Sequence, residues 1–138
     1  MKVYLQKYSF ILFLTIIYLS CSSSSVYDKT TVDLAVSLKT LSLYLMGNAI
    51  NSYNDFKPQI EDLEEKLNNA YKYEQNRVNN NVITKKWEEL ISPNEDLLGG
   101  FLAKWKSQNK LSVTFITQAK NKVRNGFDEI IDYEKSKR

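Results

Sequence analysis

The sequence predicts an all-α protein, an antiparallel bundle of about four helices that follows an N-terminal leader and a short Ser-rich tether. Apolar residues recur at spacings of three and four along most of the chain after residue 30, which is the period of one helix face. No stretch of useful length in that region alternates apolar and polar residues with period two, as a half-buried strand does. We therefore expect four helices, or five if one of them breaks, packed against one another with short connections.

Three segments make up the chain in this prediction: a leader at residues 1–20, a flexible tether at residues 21–29 and a helical domain at residues 30–138. Removal of the leader leaves 118 residues, which is enough for one hydrophobic core and too few for two domains. No internal repeat of roughly 20 to 50 residues is visible. The helical part is therefore expected to be a single domain.

The first helix is predicted to begin at Thr30, with Asp33 as its partner in a capping box. Four leucines follow at spacings of four, three and four, namely Leu34, Leu38, Leu41 and Leu45. Further apolar residues widen this face, which predicts a helix that is covered on more than one side. Gly47 weakens the helix near its end, since glycine costs about 1 kcal/mol relative to alanine.

The second helix is predicted to begin near Pro58, because proline suits the first turn and acidic residues behind it suit the helix dipole. One face of this helix carries Ile60, Leu63, Leu67, Ala70, Glu74 and Val78. The acidic run at residues 61–65 lies mostly away from that face and lacks the glycine-containing spacing of a calcium loop. We expect these carboxylates to be solvated, with no metal site. We expect a loop at residues 79–81; the alternative is that the helix runs through them and continues into the third helix.

The third helix is predicted to end at Ser92, and its apolar side carries Ile83, Trp87, Leu90 and Ile91. Residues 92–95 then have the pattern of a new helix start. They offer a hydroxyl cap, a proline at the first helical position and a glutamate that reaches back to the cap. Gly99 and Gly100 either bend the fourth helix or allow a neighbouring backbone to approach closely.

The last helix is predicted to begin at Leu111 or Ser112. Its apolar seam carries Ile116, Ala119, Val123, Gly126, Ile130 and Tyr133. A glycine on this seam indicates either a close approach of two helices or a small packing gap. Residues 111–116 are rich in strand-forming side chains, so a short strand there is the alternative.

The first 21 residues have the layout of a secretory signal. Lys2 and Lys7 precede an apolar run at residues 8–19, and the small residue Ser20 follows it. The run has about twelve residues, well below the roughly twenty that are needed to cross a bilayer core. We therefore expect the leader to be removed and not to remain as a transmembrane helix.

The end of the leader, Tyr18-Leu19-Ser20-Cys21, resembles a bacterial lipobox, with Tyr18 in a position where leucine is usual. The resemblance covers only the leader and implies a lipoprotein. Signal peptidase II would then cut before Cys21, whose acyl chains, such as palmitate, hold the protein on the membrane. Ser22 implies sorting to the outer membrane in a Gram-negative cell. In a cell with one membrane, the protein would lie on the outer face of the plasma membrane.

Two further features bear on the lipobox. Cys21 is the only cysteine in the chain, and acylation would remove an unpaired thiol from an oxidising compartment. The alternatives are an ordinary signal peptide that happens to contain a cysteine and a buried cysteine in a helix that is not cut.

The composition excludes several kinds of chemistry. The chain has no histidine, so it cannot build a Ser-His-Asp triad or a His-ligated metal site. After the leader, 17 basic residues balance 16 acidic residues, which gives no electrostatic argument for nucleic-acid binding. We expect no cofactor, no metal and no catalytic residue, although a pair of carboxylates acting on a glycoside remains a third alternative.

The sequence therefore favours a non-catalytic helical module that binds a protein partner in the envelope or outside the cell. The alternative is a carrier or sensor that holds an apolar ligand between its helices. The candidate partner-binding residues are Tyr71, Tyr73, Trp87 and Trp105, since Tyr and Trp are enriched in interface hot spots. The other interpretation of the two tryptophans is that they belong to the core. Because Tyr71 and Tyr73 are two positions apart on one helix, at least one of them should be exposed.

Overall fold

The computed structural model describes residues 25–138 and contains five helices within that range. They are α1 (Lys29–Gly47), α2 (Tyr53–Gln75), α3 (Asn81–Ile91), α4 (Leu98–Gln108) and α5 (Val113–Lys135). No strand occurs in the described residues, so the predicted all-α class is confirmed. The leader, the lipobox and Cys21 lie outside the described residues.

The helices form an antiparallel bundle in which α1 and α3 each lie between α2 and α5. Lys39 in the middle of α1 pairs with Asp128 of α5 at 2.5 Å. Glu129, the next residue of α5, pairs with Lys86 of α3. Nearer the start of α5, the ring of Phe115 stacks on that of Phe101 in α4. Since α3 and α4 follow one another along α5, together they make a fourth rod that is broken at residues 92–97. The predicted bundle of about four helices is confirmed, with one of them in two pieces.

The two ends of the bundle are closed by backbone hydrogen bonds between distant segments. At one end, the Tyr53 N–H donates to the Asn109 carbonyl at 2.9 Å, and the Leu111 N–H donates to the Ala49 carbonyl at 2.8 Å. At the other end, the Ser25 N–H donates to the Asn79 carbonyl at 3.1 Å. We call this second end the base of the bundle and define it as residues 25–30, 72–82 and 132–138.

Aromatic side chains fill the core. Trp87 packs edge-to-face on Phe127, with ring centroids 5.9 Å apart, and Trp105 packs the same way on Tyr53 at 5.8 Å. The indole N–H of Trp105 donates to the carbonyl of Asn51 at 3.1 Å. The other large side chains that are fully buried include Leu45, Met46, Ile60, Leu63, Ile83, Leu90, Leu98 and Ile130. These residues come from all five helices, so a single core runs through the bundle.

The starts of α1 and α2 differ from the sequence prediction. Asp28, and not Thr30, caps α1: its carboxylate accepts the Thr30 N–H at 2.7 Å. Asp33 pairs instead with Lys29. Helix α2 begins five residues earlier than predicted, so Pro58 lies inside it. Pro58 is exposed and near the helix start, where the missing N–H removes only one helical hydrogen bond.

The break between α3 and α4 is another correction. Ser92 caps the end of α3, and its hydroxyl accepts the Asn94 N–H at 3.3 Å within a turn. Helix α4 does not begin until Leu98. A Cβ on Gly99 would overlap the carbonyl of Ile91. Gly99 is therefore needed because a neighbouring backbone lies against it, the second of the two alternatives given above.

The end of α2 differs from its predicted position, whereas the start of α5 agrees with the prediction. Helix α2 ends at Gln75, so Val78 lies exposed in the turn and not on the predicted helix face. The loop predicted at residues 79–81 is confirmed in part, since the turn includes Asn79, whose φ is 57°, and α3 begins at Asn81. Ser112 caps α5 through the Phe115 N–H at 3.3 Å. The alternative strand at residues 111–116 does not form.

The glycine on the α5 seam marks a close approach. A Cβ on Gly126 would lie 3.3 Å from a methyl carbon of Leu90 in α3, which is tighter than an ordinary van der Waals contact. The side chain of Leu90 fills the space over Gly126, so the seam has no packing gap there. Glycine at position 126 therefore allows the side chain of Leu90 in α3 to pack directly on α5.

Candidate functional site

Four charged side chains are buried together at the base, where α2 and α5 end. Glu74 and Glu134 have 1% and 0% of their side-chain surface exposed, while Arg77 and Lys137 have 13% and 5%. The guanidinium of Arg77 contacts Glu74 at 2.8 Å and Glu134 at 2.9 Å. The ammonium of Lys137 contacts the other oxygen of Glu134 at 2.6 Å. We call these four residues the buried charge cluster; its formal charge is zero.

Neighbouring polar groups complete the hydrogen bonding of the cluster. The Thr31 hydroxyl donates to one oxygen of Glu74 at 2.5 Å, and the Asn80 amide donates to the other at 2.5 Å. Lys137 also donates to the hydroxyl of Ser25 at 2.5 Å. Each of the four carboxylate oxygens accepts at least one hydrogen bond. A buried charge is tolerated when it is paired and hydrogen-bonded in this way.

The cluster also holds the segment that precedes α1. The Asp28 N–H donates to Glu134 at 2.7 Å, and Arg77 donates to the carbonyl of Val26 at 2.6 Å. The Ser25 hydroxyl bonds to the side chain of Asn80 at 2.9 Å. Residues 25–28, which were predicted to be part of a flexible tether, therefore belong to the folded domain. Buried Glu134 needs donors, and the backbone of this segment supplies one of them.

The surroundings of Glu134 and Arg77 favour the charged forms of both side chains. Burial by itself would raise the pKa of Glu134, but hydrogen bonds from Arg77, Lys137 and the Asp28 backbone outweigh it and lower that pKa. Burial would likewise lower the pKa of Arg77, yet its bonds to Glu134 and Glu74 raise it. The arrangement therefore keeps Glu134 and Arg77 ionised, as suits a structural contact.

Tyr73 and Asp28 form a second polar contact at the edge of the base. The Tyr73 hydroxyl donates to the Asp28 carboxylate, and this bond is the main cause of the raised pKa of Tyr73. Partial burial would raise the pKa of Asp28, but the bonds from Tyr73 and the Thr30 N–H lower it. Asp28 thus joins the cap of α1 to the last turn of α2.

No protein-family model, curated protein or solved structure matches this chain. Its function is therefore inferred from its own residues and geometry.

The four residues proposed for partner binding lie in different environments. Trp87 and Trp105 are completely buried, so neither has surface to offer a partner, and the core interpretation of both is the one the structure supports. Tyr71 is half-buried and packs against the core. Tyr73 is exposed at the base next to Asp28. Of the four, Tyr73 alone presents substantial surface, in agreement with the expectation that one of the two tyrosines would be exposed.

The buried charge cluster was not predicted from the sequence, although two signals for it exist. Glu74 falls on the apolar face of α2, and Glu134 follows Ile130 by four residues on α5. In both cases a cation follows the glutamate by three residues, as Arg77 and Lys137. A carboxylate on an apolar stripe near a helix end, with a cation one turn later, is the pattern that could have revealed the cluster.

The described surface also contains a groove. A solvent-open groove of about 410 Å³ lies between α2 and α4 and is bordered by Tyr53, Glu64, Ile91 and Lys106. Within residues 25–138, no group of three or more acidic side chains is placed to hold a metal ion. The same part of the chain contains no helix that is long and apolar enough to span a bilayer.

Proposed function

We propose that this chain is a bacterial envelope lipoprotein, anchored by acyl chains on Cys21, whose helical domain is a non-catalytic protein-interaction module. The observation that carries the anchor is the lipobox-like sequence at residues 18–21, which ends in the only cysteine. The fold supports the same arrangement because the described contacts of the domain include Ser25, which follows Cys21 by only four residues. Little chain therefore separates the anchor from the domain. In this proposal the location is the outer membrane of a Gram-negative-type cell, or otherwise the outer face of the plasma membrane.

The filled core favours a surface-binding module over the alternative carrier of an apolar ligand. Such a carrier needs a cavity between its helices. The centre of the bundle is instead occupied by Trp87, Trp105 and Phe127, all fully buried. The groove near Tyr53 is open to solvent and has charged side chains at its rim. Binding through an outer face therefore fits the structure better than enclosure.

The end of α1 and the turn that follows it present an uncharged face that supports a protein partner. Tyr44 of α1 and Ile50 in the turn are exposed there, and residues 40–54 contain no charged side chain. The centres of protein interfaces are poor in charged residues and rich in tyrosine. An uncharged surface of another envelope protein is the partner that this face would accept. Tyr44 replaces the buried tryptophans as the aromatic anchor.

The anchor is tested by mass spectrometry of the chain isolated from membranes. We expect a protein that begins at Cys21 and carries the mass of acyl groups. In the Cys21→Ser variant, we expect neither cleavage nor acylation, because the residue that signal peptidase II requires is missing. Cleavage of the variant at the same place, with release of a water-soluble chain, would show that the leader is an ordinary signal peptide.

The interaction is tested by photo-crosslinking in intact cells. With a photoreactive side chain at position 44, we expect one discrete adduct with an envelope protein, because Tyr44 projects from the uncharged face. The matched control carries the same group at position 61, where Glu61 is exposed on α2, and should give no such adduct. Identical adducts at both positions would contradict binding through the uncharged face. Non-covalently bound lipid recovered with the purified protein, in place of a protein adduct, would favour the carrier instead.

A further inference from the structure

The distance between the proposed anchor and the folded domain limits where the domain can be. Ser25 follows Cys21 by four residues, and a fully extended chain covers at most about 3.6 Å per residue. Ser25 therefore lies within about 14 Å of the bilayer surface. Ser25 is bonded to Asn79 and Asn80, so the turn between α2 and α3 is held at the same level. The base is the part of the bundle that the anchor brings to the membrane.

The base carries the most exposed apolar side chains of the described chain. Val26 is 84% exposed and Val78 is 79% exposed, more than any other large hydrophobic residue in the described part. The two border one shallow depression together with Tyr27 and Arg77. Val82, on the first turn of α3, is exposed nearby. Apolar side chains on this surface gain by leaving water for the interfacial region of a bilayer.

The charge distribution agrees with contact between the base and anionic headgroups. The base contains six cationic and four anionic residues, whereas the remaining described residues contain eleven and twelve. Lys72 and Lys135 are exposed cations of the base. Anionic lipids attract such residues, while the acidic run at residues 61–65 on the side of α2 would be repelled. Arg138 lies over the Tyr27 ring, 4.3 Å from its centroid, a pairing of basic and aromatic groups that suits the interface.

We propose that the base is a membrane-docking surface, so that the bundle stands end-on on the bilayer with Val26 and Val78 among the lipid headgroups. This inference rests on the proposed lipid anchor at Cys21. It adds to the anchor a second contact with lipid and a fixed orientation. The uncharged face at residues 40–54 then lies at the end of the bundle away from the membrane, open to a partner.

The test uses the lipidated full-length mature chain, reconstituted into vesicles of phosphatidylethanolamine and phosphatidylglycerol. In the Val78→Cys variant the new thiol is the only free one, because Cys21 is acylated, and it is labelled with a fluorophore. Some of the lipids carry a spin-label quencher near the headgroup. The matched control is Val113→Cys, exposed at the other end of α5, about 34 Å away along a helix of 23 residues.

We expect the fluorophore at position 78 to be quenched several-fold more strongly than that at position 113. Equal quenching at both positions would mean that the bundle lies on its side, and absence of quenching at both would mean that the base stands away from the lipid. Either result overturns the inference while the anchor stands. Chains that do not float with the vesicles and lack acyl mass would instead overturn the anchor, and with it this inference.

A second label position guards against local disturbance of the turn. Val82→Cys, on the first turn of α3, should be quenched to a similar extent as Val78→Cys.

Changing Val26 to Asp in the Val78→Cys chain should weaken the quenching, since a carboxylate is repelled by anionic lipid. Unchanged quenching in that double variant would contradict a role for the apolar patch in docking. Thermal melts of the variants, compared with that of the parent chain, confirm that each is folded.

Discussion

Replacing Glu134 with alanine is expected to lower the free energy of unfolding by about 3–5 kcal/mol, the usual effect of removing one partner from a buried ion pair. The change leaves Arg77 and Lys137 buried without the carboxylate that they share. It also removes the acceptor of the Asp28 N–H. Urea unfolding followed by far-ultraviolet circular dichroism measures the loss.

The matched control is Glu129→Ala on the same helix. Glu129 also pairs with a lysine, Lys86, but its side chain is 65% exposed, so the expected loss is at most about 1 kcal/mol. A loss in Glu134→Ala no greater than in the control would contradict a stabilising role for the buried charge cluster.

The double variant Glu134→Leu with Lys137→Met tests the coupling of the two charges. It should lose less free energy of unfolding than the sum of the losses in the two single variants, since it leaves no uncompensated lysine.

Glu134 also determines how the stability is expected to depend on pH. Because the pKa of Glu134 is lower in the folded than in the unfolded chain, its ionised form stabilises the fold fully above the ordinary carboxylate pKa of about 4.3. That stabilisation is lost as the pH falls through the lowered folded-state pKa. The urea concentration at the midpoint of unfolding should therefore decrease as the pH is lowered below about 4. This decrease should be less steep in Glu134→Gln.

The second large effect is expected at Gly99. A Cβ there would overlap the carbonyl groups of Ile91 and Ser92, and backbone atoms cannot move aside as a side-chain tip can. Gly99→Ala should therefore destabilise the protein by about 3 kcal/mol, at the upper end of the range for overpacking. Urea unfolding measures the loss, and hydrogen exchange should show it concentrated in α3, α4 and the turn between them.

Gly47→Ala is the control, and its effect should have the opposite sign. A Cβ on Gly47 would meet only the ammonium of Lys120, at 3.4 Å, and Gly47 is the last residue of α1. Alanine restricts the unfolded chain and favours the helix, so stability should rise by about 0.4–1 kcal/mol. If both variants shift the midpoint in the same direction, the close backbone contact at Gly99 is not what requires glycine there.

The helices could be predicted from sequence because their apolar spacing is a local property. Ile83, Trp87 and Leu90 are buried on one face of α3 as their spacing indicates, and Ser112 caps α5 through its own hydroxyl. The predicted start of α4 at residues 92–95 was wrong because it depends on a contact with a neighbouring backbone segment. The capping pattern is present, but the contact of Gly99 with the carbonyl of Ile91 fixes a turn there. A local pattern does not record that contact.

The candidate site depends on pairs that are far apart in the sequence. Arg77 and Glu134 are separated by 57 positions, and only the fold shows that α2 and α5 end side by side. The sequence indicated that Glu74 shares a face with apolar residues, but not which cation would meet it. The sequence also could not show whether Trp87 and Trp105 belong to the core or to an interface, because aromatic residues occur at the same helical spacing in both.

The docking of residues 25–28 has a mechanical consequence. Tension applied to the chain ahead of Ser25 does not act on the first turn of α1 alone, because these residues are bonded to the turn after α2, to Arg77 and to Glu134. The load is shared by three helices and enters through several hydrogen bonds in parallel. A domain that is pulled from this end should therefore resist stretching better than one whose first helix bears the force by itself.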